Sequence, residues 1–373
     1  MKVKMKKHIC YLGNAGSIHV QRWVNYLVEH GWKIDLITWH PPSEYHRIHP
    51  DVKVHRIYFP PHYIARYGAL VEVIRLIRKI RPDVVHACYV STFGILAGYY
   101  NHLTGFNNII LTSLGSDILI DPKGFKKWLV KYALRRAKFI TFDGENMKEA
   151  LIDLGADSQK MIEIRFGTDI HKFNPMQISK KIRTELVLDS SPIVISVRNF
   201  KPIYDIPSLI KAVPIILKDV PSAKFVIAGG GPQEASLKDL SKSLGVSDSI
   251  LFVGFLANDK LPEYLASADI YVSTSLSDSG LSSSTAEAMA CGIPVVITDF
   301  GDNYKWVKND VNGFLVPLKN PDALAEKIIY LLKNPEVCRV FGEKNRMIIE
   351  EKNNFDEEME KIEDLYIDLI QRC

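Results

Sequence analysis

An arginine at the end of one apolar run and a glutamate inside a serine-rich helix start are the residues best suited to chemistry. The run Ile193-Val-Ile-Ser-Val ends in Arg198, and Lys201 follows after Asn199 and Phe200. Arg grips phosphate oxygens through parallel N–H groups, whereas Lys supplies a point charge. Farther on, Asp269-Ile-Tyr-Val-Ser-Thr reads as a strand and leads into a polar loop holding Asp278, Ser279 and Gly280. Ser282, Ser283, Ser284 and Thr285 then open a helix that ends at Gly292. A helix start after a buried strand favours an anion, because free backbone N–H groups and the helix dipole point there. Glu287 lies one turn in. Donors crowded beside one carboxylate suit a diphosphate with an attached ribose: N–H and hydroxyl groups for the phosphates, the carboxylate for the ribose diol. A capped surface helix and a pair of solvated charges at a strand end are the plain structural alternatives. Gly229, Gly230 and Gly231 follow another strand and permit close backbone approach to a ligand.

The run Glu287-Ala-Met-Ala-Cys-Gly-Ile-Pro-Val-Val resembles the signature of retaining glycosyltransferases of family four, which have the GT-B fold. The likeness extends over nearly the whole chain. Gly13-Asn-Ala-Gly-Ser-Ile-His-Val-Gln-Arg-Trp is similar to the family's acceptor-side loop, which implies acceptor-side places for Gly13, Ser17, His19 and Arg22. For His19 a capping or surface histidine is the alternative. Asp83-Val-Val-His resembles a family strand and adds His86, which is equally readable as a hydrogen-bonded core group. Phe252-Val-Gly-Phe is similar to the part of the fold that holds the base, with the backbone near Phe255 at its edge.

Two departures matter. The family's first glutamate would stand at position 279, where this chain has Ser279, and the nearest carboxylate is Asp278. Leu114 stands where many members have a histidine, so no general base is assigned, and Asp117 is the group expected to meet the acceptor or the transferred sugar. The resemblance implies transfer of a sugar from a nucleotide-diphospho-sugar, a substrate and not a cofactor, to a glycan, lipid-linked or small-molecule acceptor. It implies Arg198 and Lys201 as stabilisers of the leaving diphosphate, no metal, and front-face retention in which a departing phosphate oxygen takes the acceptor proton. Two other classes stay open. One is a nucleotide-sugar-binding protein with little or no transfer activity, motivated by Leu114 and Ser279. The other is a two-domain receptor for small solutes, disfavoured by the missing export signal and by Arg198 with Glu287.

The elements that must position these residues alternate between strand and helix, which is the pattern of a parallel α/β sheet. A chain of 373 residues suits two domains of roughly 150 to 200 residues. The expected architecture is two doubly wound Rossmann-like domains facing across a cleft. The first spans residues 1–175 and the second 176–354, with a last helix over about 355–373 crossing back onto the first domain. Hydrophobic content of 47% with 24% charged residues is ordinary for a soluble globular protein. The formal charge of +4 does not call for nucleic acid. Five scattered cysteines without a CxxC argue against a disulfide framework and a zinc site and fit a reducing compartment. The basic start carries too short an apolar run for a signal peptide, and no run approaches the roughly 18 residues of a membrane span, so a cytoplasmic location is expected. Residues 63–79 and 124–138 read as two helices rich in Lys and Arg. Solvated faces of surface helices are one reading, and peripheral contact with an anionic membrane is the other.

Overall fold

The computed structural model describes residues 7–42, 47–58, 66–178, 180–186, 188, 190–278 and 280–371. Apolar runs flanked by loops become parallel strands buried on both faces, as at His8–Leu12 and Val84–Cys88, where every residue is buried. The chain divides into two compact units, one of Met1–Phe166 with Glu357–Cys373 and the other of Gly167–Asp356. The division lies at Phe166/Gly167, ahead of the expected 175.

The first unit carries a seven-stranded parallel sheet in the order β3-β2-β1-β4-β5-β6-β7. Its strands are β1 His8–Leu12, β2 Lys33–Thr38, β3 Lys53–Arg56, β4 Val84–Cys88, β5 Ile109–Thr112, β6 Phe139–Phe142 and β7 Met161–Glu163. Strand residues alternate between the two faces. Cys10, Leu12, Val85, Ala87 and Leu111 meet the helices Arg66–Ile80, Ile95–Thr104 and Gly124–Arg136 through side chains such as Val73, Ala97 and Val130. Tyr11 and His86 face the other way, toward the terminal helix Phe355–Gln371.

That terminal helix belongs to the first unit from Glu357 onward. Met359, Ile362, Tyr366 and Leu369 recur at helical spacing and are all buried, so one stripe of the helix completes the sheet's second face. The Tyr366 hydroxyl lies 2.5 Å from the Tyr11 hydroxyl and 2.5 Å from His86 Nδ1. His86 Nε2 meets Thr112 Oγ1 at 2.5 Å, which in turn meets Thr141 Oγ1 at 2.6 Å. Burial in this network lowers the His86 pKa to about 3, so the ring is neutral.

The second unit carries a six-stranded parallel sheet in the order β10-β9-β8-β11-β12-β13. Its strands are β8 Ile193–Val197, β9 Lys224–Ala228, β10 Ile250–Gly254, β11 Ile270–Ser273, β12 Val295–Thr298 and β13 Gly313–Val316. The helix Pro335–Lys352 locks the end of the family signature in place. A Cβ on Gly342 would lie 1.9 Å from the Gly292 carbonyl oxygen, so only glycine permits this approach. Asn345 donates to the Ile293 carbonyl at 2.9 Å. Arg346 Nη1 reaches the carbonyls of Ile170, Phe173 and Ala290 at 3.0, 2.7 and 2.9 Å.

Two outcomes follow for the first unit. Tyr366→Ala removes a fully buried aromatic and is expected to cost about 3–5 kcal/mol, read as a shift in the urea midpoint. Acidification should also destabilise the protein. Folded His86 stays neutral down to about pH 3 while the unfolded chain binds a proton below about pH 6.5, so stability falls as pH drops through that window. His86→Gln should be less stable at pH 7 yet lose less on acidification, and equal slopes in urea titrations of the two proteins would contradict this.

Candidate functional site at the switch point of the second sheet

In an open parallel sheet the ligand crevice lies outside the carboxyl ends of the strands where the strand order reverses. The second sheet reverses between β8 and β11. The loops leaving those two strands carry Arg198 and Asp278, and the structure brings them together.

The Arg198 side chain is only 8% exposed and its Nη2 donates to Asp278 Oδ2. Its Nη1 lies 3.4 Å from Ser284 Oγ, and the guanidinium stands over the Tyr204 ring, 4.7 Å from the centroid. Burial works against the charge, but Asp278 outweighs it and holds the Arg198 pKa above its ordinary value. The cation is therefore permanent at this strand end. Arg198 Nε is buried without a partner among the described residues.

The helix Ser283–Ala290 starts beside this cation. Its N-cap Ser282 makes no side-chain bond to the helix backbone and pairs with Thr285 Oγ1 at 2.8 Å instead. Ser284 Oγ accepts or donates at 2.8 Å to the hydroxyl of buried Tyr271 on β11. Glu287 lies one turn along the same helix and is half-buried. Gly280 sits in the left-handed region, with φ of +55°, at the turn before the helix. Position 279 lies outside the described residues. Lys201 is exposed and precedes the short turn Pro202–Tyr204.

The glycine turn after β9 has two functions, divided by residue. Gly229 and Gly231 have φ of +146° and +151°. A Cβ at Gly229 would lie 2.0 Å from the Arg198 carbonyl oxygen, and one at Gly231 2.7 Å from that of Phe200. Those two glycines are needed to seat the arginine loop, not to admit a ligand. A Cβ on Gly230 would meet nothing within 4 Å, so this is the open one of the three. The Gly229 N–H donates to the Gly254 carbonyl at 2.8 Å, which brings the turn before Phe255 alongside, with Phe255 itself 48% exposed.

In the first unit the expected residues separate. Gly13 follows β1, and its N–H donates to the Ile37 carbonyl at 3.2 Å. Ser17 is the N-cap of the helix Ile18–Glu29, without a side-chain cap bond, and Arg22 lies one turn into that helix. His19 packs against Phe166 with centroids 4.3 Å apart and the rings tilted by 35°, and its buried Nδ1 has no partner among the described residues. Burial, with Arg22 adding to it, lowers its pKa to about 4, so it is neutral at ordinary pH.

Two expectations are corrected. His86 has 0% exposure and both ring nitrogens engaged, so it is a core residue with nothing to offer an acceptor. Asp117 is likewise fully buried, accepting from the Val90 and Leu114 N–H groups at 2.7 and 2.9 Å. Burial raises its pKa to about 6 against those bonds. It ties together the loops after β4 and β5. Tyr204 and Tyr271, which line Arg198 and Ser284, were not singled out from the sequence. Aromatic residues at a strand and a turn look like core there, and only the fold shows their neighbours.

The glycine turn yields a discriminating pair. Gly229→Ala should displace the Arg198 loop and lower the melting temperature by several degrees, whereas Gly230→Ala should melt like the wild type. Equal melting curves for the two would refute the division of labour within the turn.

Known proteins resemble this chain in sequence and in fold. The family described as glycosyl transferases group 1 matches residues 178–347, and the one described as glycosyl transferase 4-like matches residues 8–144. The chain is 25% identical over 380 residues to the N-acetyl-alpha-D-glucosaminyl L-malate synthase of Bacillus anthracis, covering 97% of this chain and 96% of that one. It is 26% identical to an Escherichia coli UDP-Gal:alpha-D-GlcNAc-diphosphoundecaprenol alpha-1,3-galactosyltransferase, covering 81% and 79% of the two chains. Among solved structures, Anabaena HepE in complex with UDP and glucose superposes with a TM-score of 0.82 at 18% identity, covering 96% and 98%. With both sheets wound as in GT-B proteins and both family patterns matched along it, the chain belongs to the group 1 glycosyltransferases of family four.

Proposed function

We propose that this glycosyltransferase is a retaining enzyme that moves a sugar from a nucleotide-diphospho-sugar, a uridine one first, to a glycan, lipid-linked or small-molecule acceptor. One observation carries the reading. The buried Arg198 guanidinium and the start of the helix Ser283–Ala290 converge through the Ser284 hydroxyl at 3.4 Å. Fixed donors aimed at one spot suit the charge that grows on a diphosphate as it leaves. The names of relatives support uridine: the Escherichia coli enzyme uses UDP-Gal, and HepE has been seen with UDP and with UDP-glucose.

In the reaction the bond between the anomeric carbon and the β-phosphate oxygen breaks, and its electron pair leaves with the phosphate. Arg198 and the N–H groups of Ser283, Ser284 and Thr285 take up that charge. Lys201 adds a cation from the edge of the site, and no divalent metal is required. The acceptor hydroxyl attacks the same face, and its proton passes to the departing phosphate oxygen. Glu287 accepts from the ribose diol, the backbone at Phe255 meets the base, and Gly230 with Gly280 gives the phosphates room. Asp278 holds Arg198 in place and competes with the phosphates for its donors. Gly13, Ser17, His19 and Arg22 serve the acceptor.

Arg198→Ala should lower kcat by about 10²–10³. Arg198→Lys should recover little of it, since one ammonium cannot reproduce two parallel donors. UDP should raise the melting temperature of the wild type and not of Arg198→Ala or Glu287→Ala. NMR of the product should give the donor's anomeric configuration, and EDTA should leave the rate unchanged. Ligand-induced stabilisation with neither transfer nor donor hydrolysis would favour a nucleotide-sugar-binding protein, the reading that Leu114 supports.

A further inference from the structure

Tyr271 stands on β11 with no surface exposed, and its hydroxyl lies beside the start of the helix Ser283–Ala290. The ring belongs to the same core as Ile195, Leu265 and Ala288. A phenylalanine would fill that space equally well, so the hydroxyl is the part that needs a reason. An unpaired hydroxyl in the interior costs free energy. This one lies 2.8 Å from Ser284 Oγ. Thr285 is the other hydroxyl beside it, and Thr285 Oγ1 is engaged with Ser282 Oγ at 2.8 Å. Burial above all holds the Tyr271 pKa above its ordinary value, so the phenol keeps its proton.

The protons around Ser284 can be counted. A serine hydroxyl has one O–H to give and two lone pairs with which to receive. Arg198 Nη1 can only donate, and it meets Ser284 Oγ at 3.4 Å. The Tyr271 hydroxyl is closed off from water and finds its acceptor in the same oxygen. Were Ser284 to donate instead, the phenol's own O–H would have only Thr285 Oγ1 beside it, an oxygen already paired with Ser282. A buried donor left unsatisfied is the costlier arrangement. Arg198 and Tyr271 therefore occupy both lone pairs of Ser284, and its hydroxyl makes no further hydrogen bond among the described residues. Ser284 is half-buried, so its proton is left for a group from outside, next to the guanidinium. An ionised phosphate oxygen accepts and never donates, and it fits that position.

We infer that Tyr271 is a positioning residue of the donor site: by donating to Ser284 it commits the Ser284 hydroxyl to donate to a phosphate oxygen of the leaving diphosphate. The inference rests on the donor reading above and adds to it a residue that never touches substrate. Whichever of UDP, GDP and ADP binds the full-length wild type best is titrated calorimetrically alongside its nucleoside. The same titrations are made with Tyr271→Phe, Ser284→Ala and the double variant. Ser284→Ala should weaken the diphosphate about tenfold, as the loss of a hydrogen bond to a charged group does. Tyr271→Phe should weaken it about threefold or more and leave the nucleoside unchanged, because the nucleoside carries no phosphate. The double variant should bind the diphosphate no worse than Ser284→Ala, since Tyr271 acts only through that hydroxyl. Losses that multiply in the double variant would overturn the inference. So would a Tyr271→Phe protein that loses the nucleoside as much as the diphosphate, which is the mark of a merely structural residue. Ser284→Ala binding the diphosphate as tightly as the wild type would overturn it too, whether or not Tyr271→Phe folds. A wild type that binds none of the three diphosphates would instead refute the donor reading itself, and this inference with it.

Discussion

A guanidinium held almost out of water at the end of a parallel strand constrains everything around it. A buried charge is costly unless it is paired and hydrogen-bonded, and removing one partner of such a pair typically destabilises by about 3–5 kcal/mol. Arg198 is compensated from three directions: Asp278 in charge, Ser284 by a hydrogen bond and Tyr204 through its ring face. The surrounding backbone fits that arrangement. Thr274 Oγ1 donates to the Tyr204 carbonyl at 2.9 Å and the Leu276 N–H to the Ile203 carbonyl at 2.8 Å, so the loop after β11 is tied to the turn after Arg198. A site whose cation is already oriented loses little to reorganisation when charge develops beside it.

How much of this was legible depended on whether a residue's role came from its own backbone or from distant neighbours. The run ending at Arg198 and the serine-rich start of the helix Ser283–Ala290 were readable, because strand, loop and helix N-terminus are local patterns. That they meet was readable only through the topology rule, which joins the loops after β8 and β11 although 80 positions separate Arg198 from Asp278. Tyr204 was not readable, because an aromatic residue in a turn carries no local mark of what its ring will meet. The fold shows that its ring carries the guanidinium. Asp117 and His86 misled for the opposite reason. A polar residue late in an apolar run looks the same whether it points to solvent or closes a buried network, and their partners Val90, Thr112 and Tyr366 lie far along the chain.

The signature that carried the family resemblance divides between chemistry and packing. Its first half, from Glu287, lies on the helix that starts beside Arg198. Its second half, Cys291-Gly292-Ile293-Pro294, is taken up by packing. A side chain at Gly342 would strike the Gly292 carbonyl, and Asn345 and Arg346 bind the carbonyls of Ile293 and Ala290. Arg346 also binds Ile170 and Phe173, so one side chain fixes both the helix end and the segment at the beginning of the second unit. The specificity of the run as a motif therefore reflects two constraints superimposed on ten residues.

The first unit shows how a modest net charge can hide a strong asymmetry. A formal charge of +4 over the whole chain says little about partners. The sheet gives it a direction, because crossovers of one hand send the helices Arg66–Ile80, Ile95–Thr104 and Gly124–Arg136 to one side, while Ile18–Glu29 and the chain's last helix cover the other. The acids of that last helix cannot all lie on its solvent side. Glu358 is buried, yet it accepts from the Arg165 N–H at 2.9 Å and from Lys361 Nζ at 2.7 Å, so its charge is satisfied within the unit. The other carboxylates of the helix shape the field on that side. Folding thus puts the basic crossover helices Arg66–Ile80 and Gly124–Arg136 and the acidic last helix on opposite faces of one sheet.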